Sequence, residues 1–225
     1  MGIKVLVADD HAAVRAGLVL VLEQAEDIEV VGEAADGISV VRLARQLRPD
    51  VVLMDVRMPG GGGINATRTL VQEGVCQVLV LTTFDLDEYV YTALQAGAAG
   101  FLIKSVETVR LVEAIHLVAQ GDGVLAPQVT RRVMEHFAGT APAVQAHPKG
   151  LDQLTDRERD VFDCLGEGLS NQEIARRLYI SETTVKSHVS HILAKLGLRS
   201  RVQAAILVQE HGRGEQGRER GRSLG

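Results

Sequence analysis

The sequence predicts an α/β unit, a doubly wound parallel sheet of five strands, followed by a small all-α unit of four helices. Three observations carry this. Val51-Val52-Leu53-Met54 is an unbroken apolar run between Pro49-Asp50 and Met58-Pro59-Gly60, as in a strand covered by helices on both faces. From Ile3 to Gln120, short apolar runs alternate with amphipathic stretches across short connections. Beyond residue 150, Thr155-x-x-Glu158, Ser170-x-x-Glu173 and Ser200-x-x-Gln203 each fit the capping box that opens a helix.

In chain order, Ile3–Ala8 is the first strand. His11–Ala25 follows as a helix, with Val14, Leu18, Val21 and Leu22 on one face. Glu29–Ala34 is a strand, Asp36–Leu47 a helix, and Val51–Met54 the central strand that ends on Asp55. The run Gly60–Gly63 precedes a helix over Ile64–Gln72. The strand Gln77–Leu81, the helix Leu86–Ala96, the strand Ala99–Ile103 and the helix Val106–Ala119 complete five βα units. The first domain is therefore expected over 3–120 and a linker over 121–150, with a short helix possible at Pro127–Phe137. A second domain spans 151–211. The stretch 212–225 lacks an apolar face and reads as a disordered tail.

Composition narrows the function classes. Of 225 residues, 46% are apolar but only 3% aromatic, so the core is aliphatic. Residues 1–150 carry a formal balance of −6 and residues 151–225 a balance of +1, so overall acidity does not speak against nucleic acid. Cys76 and Cys164 are isolated, which excludes a disulfide framework or a CxxC metal site. No apolar run approaches the ~20 residues of a membrane helix, and the acidic Asp9-Asp10 comes too early for a signal peptide. A cytoplasmic protein is expected, with no membrane partner.

The chemistry lies where the strands stop. Asp9-Asp10, Asp55, Thr82-Thr83 and Lys104 all follow strand ends, and in open parallel sheets that edge faces the ligand crevice. One such Asp is equally well a loop cap; it is their agreement that signals a site. Clustered carboxylates suit a hard divalent cation, Mg2+, bound together with a phosphate. Asp55 beside it is placed to attack a phosphoryl donor and form an aspartyl phosphate. Lys104 would offset the new charge, and Thr82 would donate a hydroxyl.

In the second domain the four helices are expected at roughly 156–167, 171–178, 182–196 and 201–210. The middle pair, joined at Tyr179-Ile180-Ser181, reads as a helix-turn-helix. Its second helix turns Val185, Val189, Ile192, Leu193 and Leu196 inward. It leaves Thr183, Thr184, Lys186, Ser187, Ser190, His191 and Lys195 outward, a set suited to phosphates and base edges in a major groove. A plain four-helix bundle with a wet polar face is the bland alternative. His188 and His191 are more simply read as DNA-facing or packed than as metal ligands, and His11 as a helix-start residue rather than a general base.

Asp9-Asp10, Asp55, Met58-Pro59, Thr82, Ala96-Gly97-Ala98 and Lys104 together resemble the receiver domain of bacterial two-component response regulators. Leu154–Glu158, Ser170–Ala175 and Thr184–Val189 are similar to LuxR-type helix-turn-helix domains. The chain is thus identified as similar to NarL/FixJ-type response regulators, phosphorylation-dependent transcription regulators rather than enzymes, with a flavodoxin-like receiver. The resemblance implies Asp55 as phosphoacceptor and Asp9, Asp10, Asp55 and the Arg57 carbonyl as the Mg2+ site, Asp9 as ligand or outer carboxylate. It makes Thr82 and Phe101 the switch pair and Lys104 the phosphate partner. It further implies a sensor histidine kinase, an operator in double-stranded DNA, slow autodephosphorylation, and a homodimer formed on activation. Val202 and Ala205 on the last helix offer a small-residue dimer strip. Gly60–Gly63 departs from the family, which usually has bulkier or acidic residues there; four glycines raise the entropy cost of ordering that loop. The alternatives are an Mg2+-dependent phosphohydrolase with an accessory helical domain and a receiver that acts without phosphorylation. Asp9-Asp10-His11 breaks the Asp-x-Asp frame of one phosphohydrolase class, and the intact Asp10, Asp55 and Lys104 argue against the other reading.

Overall fold

The computed structural model describes residues 2–60, 62–82, 87–125 and 151–208, with side chains at all of these but 87–91 and 125. The chain divides into two units, Met1–Val144 and Gln145–Gly225.

The first runs β1 (Ile3–Ala8), α1 (Ala12–Leu22), β2 (Ile28–Ala34), α2 (Gly37–Leu47), β3 (Val51–Asp55), α3 (Gly62–Gln72), β4 (Gln77–Thr82), α4 (Asp87–Ala96), β5 (Gly100–Ile103), α5 (Thr108–Ala119) and β6 (Val124–Leu125). The strands pair in parallel in the order β2-β1-β3-β4-β5-β6. The five expected strands are present, and β6 extends the sheet into the segment expected to begin the linker. Two residues are too few to show a period, so this strand leaves no trace in the sequence pattern. The rest of the expected linker, the 127–137 helix and the 212–225 tail lie outside the described residues.

The core is aliphatic, as the composition requires. Val5, Val7, Val51, Leu53, Leu79, Leu81 and Leu102 face Leu22, Leu111, Ile115 and Val118 on one side of the sheet. The alternate residues Leu6, Val52, Met54 and Val80 are also buried, as a sheet covered on both faces demands. On the second face α2 packs on α3 and α3 on α4. Helix starts differ from expectation by a residue or two. His11 and Asp36 stand just outside α1 and α2; Asp36 caps α2, its Oδ1 accepting the Ser39 N–H at 2.8 Å. α3 begins at Gly62 rather than Ile64, because Gly63 lets the chain enter the helix against the β3 backbone. A Cβ at Gly63 would stand 1.8 Å from the Asp55 carbonyl oxygen.

The second unit opens with a 3-10 turn (Leu151–Gln153), followed by α6 (Asp156–Gly166), α7 (Asn171–Leu178) and α8 (Glu182–Leu196); residues 201–208 form α9. Both capping boxes at Thr155/Glu158 and Ser170/Glu173 form in full. The third is half made. Ser200 Oγ accepts the Gln203 N–H, but the Gln203 amide oxygen reaches one residue further back, to the Arg199 N–H at 2.7 Å. Ser181 caps α8 through the Thr184 N–H. Val161, Phe162, Leu165, Ile174, Val185, Val189, Ile192 and Ala204 make the core. Among the described residues no helix is long and apolar enough to cross a membrane.

Tyr179 ends α7 in the left-handed region (φ 55°, ψ 46°) while 94% exposed. An L side chain there costs about 1 kcal/mol or more that glycine does not. Glycine's freer unfolded chain cancels part of the gain. Tyr179→Gly should therefore raise the stability of the C-terminal unit by about 0.5 kcal/mol. Urea denaturation of the two chains measures it, and a lower midpoint for the variant would refute it.

Candidate functional site

Register brings the strand ends together. β1 and β3 pair with Ala8 opposite Met54, so Asp9 follows beside Asp55; β4 and β5 pair with Thr82 opposite Ile103, so Lys104 follows beside them. β1 and β3 flank the point where strand order reverses, where doubly wound sheets open a crevice.

Asp9 is 1% exposed and Asp55 5%. Two buried carboxylates this close are costly unless a cation joins them, and Lys104 does so: its Nζ lies 2.7 Å from Asp9 Oδ2 and 3.1 Å from Asp55 Oδ1. The Lys104 backbone is itself tied to the Thr82 carbonyl at 2.8 Å. Burial pushes the Asp55 carboxyl above its ordinary range. The Lys104 ammonium and the Arg57 backbone N–H pull it part of the way back, while the Asp9 charge opposes them. Thr82 is buried beside this group and Phe101 is fully enclosed.

Asp10 is nearer the surface, its Oδ1 2.6 Å from His11 Nδ1, while the His11 N–H donates to Asp9 Oδ1 at 2.9 Å. Among the described residues, Asp9, Asp10 and His11 form the one group of three potential metal ligands, one atom from each lying within 4.8 Å of the others. Three carboxylates against a single ammonium leave the pocket negative, and its donors are mostly hard oxygens. That set fits a small divalent cation. His11, read from the sequence as a helix-start residue, stands inside this group. Its adjacency to Asp10 was the available signal.

The glycine run is tied to the same pocket. The Gly63 N–H donates to the Val56 carbonyl at 3.0 Å and the Gly37 N–H to the Pro59 carbonyl at 2.9 Å. Gly60 and Gly62 hold φ of 72° and 74°. These glycines permit close backbone contact, which the composition of the loop alone did not reveal.

On α8, Thr183, Lys186, Ser187, Ser190 and His191 are exposed and Thr184 is half-buried, its hydroxyl 2.8 Å from that of Ser181. Ser187 and Ser190 donate their hydroxyl protons to the Thr183 and Lys186 carbonyls, so they offer a partner lone pairs rather than protons. Lys195, expected on the outward face, instead reaches Glu158 of α6 at 2.5 Å. His188 and His191 gather no third metal ligand among the described residues. Ala205 is half-buried; Val202, paired with it in the expected dimer strip, is only 4% exposed. Burial pushes the Cys76 thiol up to about 12, which makes it a poor nucleophile.

Comparison with known proteins matches residues 5–116 to the response regulator receiver domain and residues 152–208 to the bacterial regulatory proteins of the luxR family. The transcriptional regulatory protein LiaR of Bacillus subtilis (strain 168) is 40% identical, over 91% of this chain and 95% of its own. The nitrate/nitrite response regulator NarL of Escherichia coli (strain K12) is 38% identical, over 92% and 94%. Among solved structures, the response regulator ChrA of a heme-sensing two-component system is 37% identical. It aligns with a TM-score of 0.55, over 93% of this chain and 98% of that one. These relatives favour the regulator reading over the phosphohydrolase alternative. With its carboxylate pocket on a parallel sheet and its helix-turn-helix beyond, the chain belongs to the response regulators, as a transcriptional regulator of the two-component type that joins a receiver to a LuxR-type DNA-binding domain.

Proposed function

We propose that Asp55 accepts a phosphoryl group from a sensor histidine kinase and that this controls operator binding by α8. The observation that carries the reading is Lys104 spanning Asp9 and Asp55 at the carboxyl edge of the sheet. An Asp55 oxygen attacks phosphorus, its P–O bond forming as the donor's bond breaks, and Lys104 turns its ammonium toward the transferred oxygens. Burial favours the protonated, unreactive form of Asp55, so cations at the pocket are what keep it a nucleophile. Asp9, Asp10, Asp55 and the Arg57 carbonyl would hold Mg2+, with His11 beside them; when bound, the ion neutralises charge on the donor phosphate. Thr82 follows the phosphoryl group as a hydroxyl donor, and Phe101 moves in concert with it. The acyl phosphate then hydrolyses slowly, which resets the switch.

On the DNA side, Lys186 and His191 supply cationic or donor contacts, and Thr183, Thr184, Ser187 and Ser190 line the surface between them. A single helix-turn-helix reads few base pairs, so two copies would bind two half-sites, with Ala205 and Val202 expected at the two-fold. Because Val202 is buried, Ala205 is the better supported of the two. The protein acts in the cytoplasm, where kinase and DNA both lie.

Acetyl phosphate with Mg2+ should label Asp55 and raise affinity for an operator selected from random DNA by about tenfold or more, worth ~1.4 kcal/mol. Sedimentation should show the dimer appear in step. Mass spectrometry, sedimentation and operator titration on wild type and Asp55→Asn test this together. Undiminished labelling of Asp55→Asn, or equal operator binding with and without the donor, would sink the reading.

A further inference from the structure

Arg15 lies on α1, and its guanidinium reaches the backbone of Asp9 in the acidic pocket. Its Nη1 donates to the Asp9 carbonyl at 2.7 Å and its Nε to Glu33 Oε2 on β2 at 3.0 Å. The Arg15 side chain is 19% exposed and its bond to the Asp9 carbonyl is partly buried, whereas Glu33, 47% exposed, braces it from the solvent side. Asp9 is thereby held on every side. Its N–H donates to the Ala34 carbonyl at 3.1 Å, its carbonyl accepts from Arg15, and its two carboxylate oxygens accept from the His11 N–H and from Lys104 Nζ. The chain turns from β1 into α1 across Asp9, Asp10 and His11, and so the direction of all three side chains depends on how that short turn is anchored.

We propose that Arg15 is a positioning residue for the cation site: by gripping the Asp9 carbonyl and bracing on Glu33, it sets the aim of Asp9, Asp10 and His11. The inference rests on the cation site proposed above. Arg15 touches neither the ion nor the phosphate and acts through the backbone of Asp9. A guanidinium serves because it presents several N–H donors in one rigid plane, so one side chain bonds a carbonyl and a carboxylate at once; lysine, a single ammonium on a flexible stem, holds such a pair poorly. Groups that orient metal ligands at one remove typically change affinity by about 10- to 100-fold when lost.

Mn2+ titrated into the full chain, followed by the EPR signal of the free ion, tests this without reference to phosphorylation. Wild type should bind, and Asp10→Asn should lose binding. Arg15→Ala should raise Kd about tenfold and Arg15→Lys about threefold. Arg45→Ala, which breaks an exposed pair with Glu73 between α2 and α3, should leave Kd unchanged and so controls for general loosening. Should Arg15→Ala fail to fold, Arg15→Lys and Glu33→Gln carry the test, each expected between wild type and a tenfold loss. Wild-type Kd in these variants, or an equal shift in Arg45→Ala, overturns the role of Arg15 while leaving the cation site intact. Unchanged binding in Asp10→Asn removes the cation site, and this proposal with it.

Discussion

Gly63→Ala should destabilise the receiver by about 3 kcal/mol and slow labelling of Asp55. The cause is geometric. A methyl group at this position would sit 1.8 Å from the Asp55 carbonyl oxygen, 2.9 Å from its carbon and 3.1 Å from the Val56 Cα. All three are backbone atoms of the strand end that carries the acceptor, so no side chain can rotate away to make room. Either α3 moves off β3, breaking the Gly63 N–H bond to Val56, or the Asp55 backbone shifts and takes its carboxylate away from Lys104. Gly17→Ala is the contrast. Nothing lies within 4 Å of a Cβ there, inside α1, so replacing glycine in a helix should add about 0.5–1 kcal/mol. Urea denaturation and acetyl phosphate labelling of both variants decide the matter. A wild-type midpoint and labelling rate in Gly63→Ala would show that the contact yields cheaply.

Glu158→Ala should cost the DNA-binding domain about 3 kcal/mol, the lower end of what removing one partner of a buried ion pair costs. Glu158 is 4% exposed, and a single oxygen accepts the Thr155 N–H at 2.8 Å, its hydroxyl at 3.0 Å and Lys195 Nζ at 2.5 Å. The lower end applies because the abandoned Lys195, 32% exposed, can turn to solvent. Lys195 first, then the Thr155 backbone, hold the carboxyl at about 2, against an ordinary value of 4.5. A group whose pKa is depressed by folding stabilises the fold above its unfolded value and loses that contribution as pH falls through the folded one. Wild type should thus lose this part of its stability between about pH 5 and pH 2, and Glu158→Ala should lack that dependence. Amide exchange across α6–α8, followed against pH, measures both; an equal slope in the variant would show that other carboxylates govern the acid limb.

The fold was legible because its signals are local. Apolar runs of strand length and hydroxyl-x-x-acid boxes depend on neighbours in sequence, and a parallel sheet then gathers strand ends automatically, so Asp9, Asp55, Thr82 and Lys104 were readable as one pocket. What escaped notice depends on contacts between distant residues. Arg15 meets Glu33 only once β1 and β2 are paired, and Lys195 meets Glu158 across 37 positions. Periodicity placed Lys195 on the outward face because it does not say which way a long side chain bends. It placed Val202 on an open strip because one helix read alone does not show what packs over it. The glycine run suggested looseness, since composition reports conformational freedom and not the tight approach that makes glycine necessary.

The sheet also bears on what happens when many copies are present. Among the described residues its two rims are β2 and β6. A rim strand with open N–H and C=O groups is a template on which another chain can add a strand and begin to aggregate. β2 is seven residues long but carries Glu29 facing solvent, so two such rims brought together would place like charges close together, while Glu33 on the same strand is paired with Arg15. Among the described residues β6 is two residues long and gives an incoming strand little to grip. Each rim thus discourages strand addition by a different means, one by charge and the other by brevity. Among the described residues, then, neither rim of the sheet offers another strand an easy place to add.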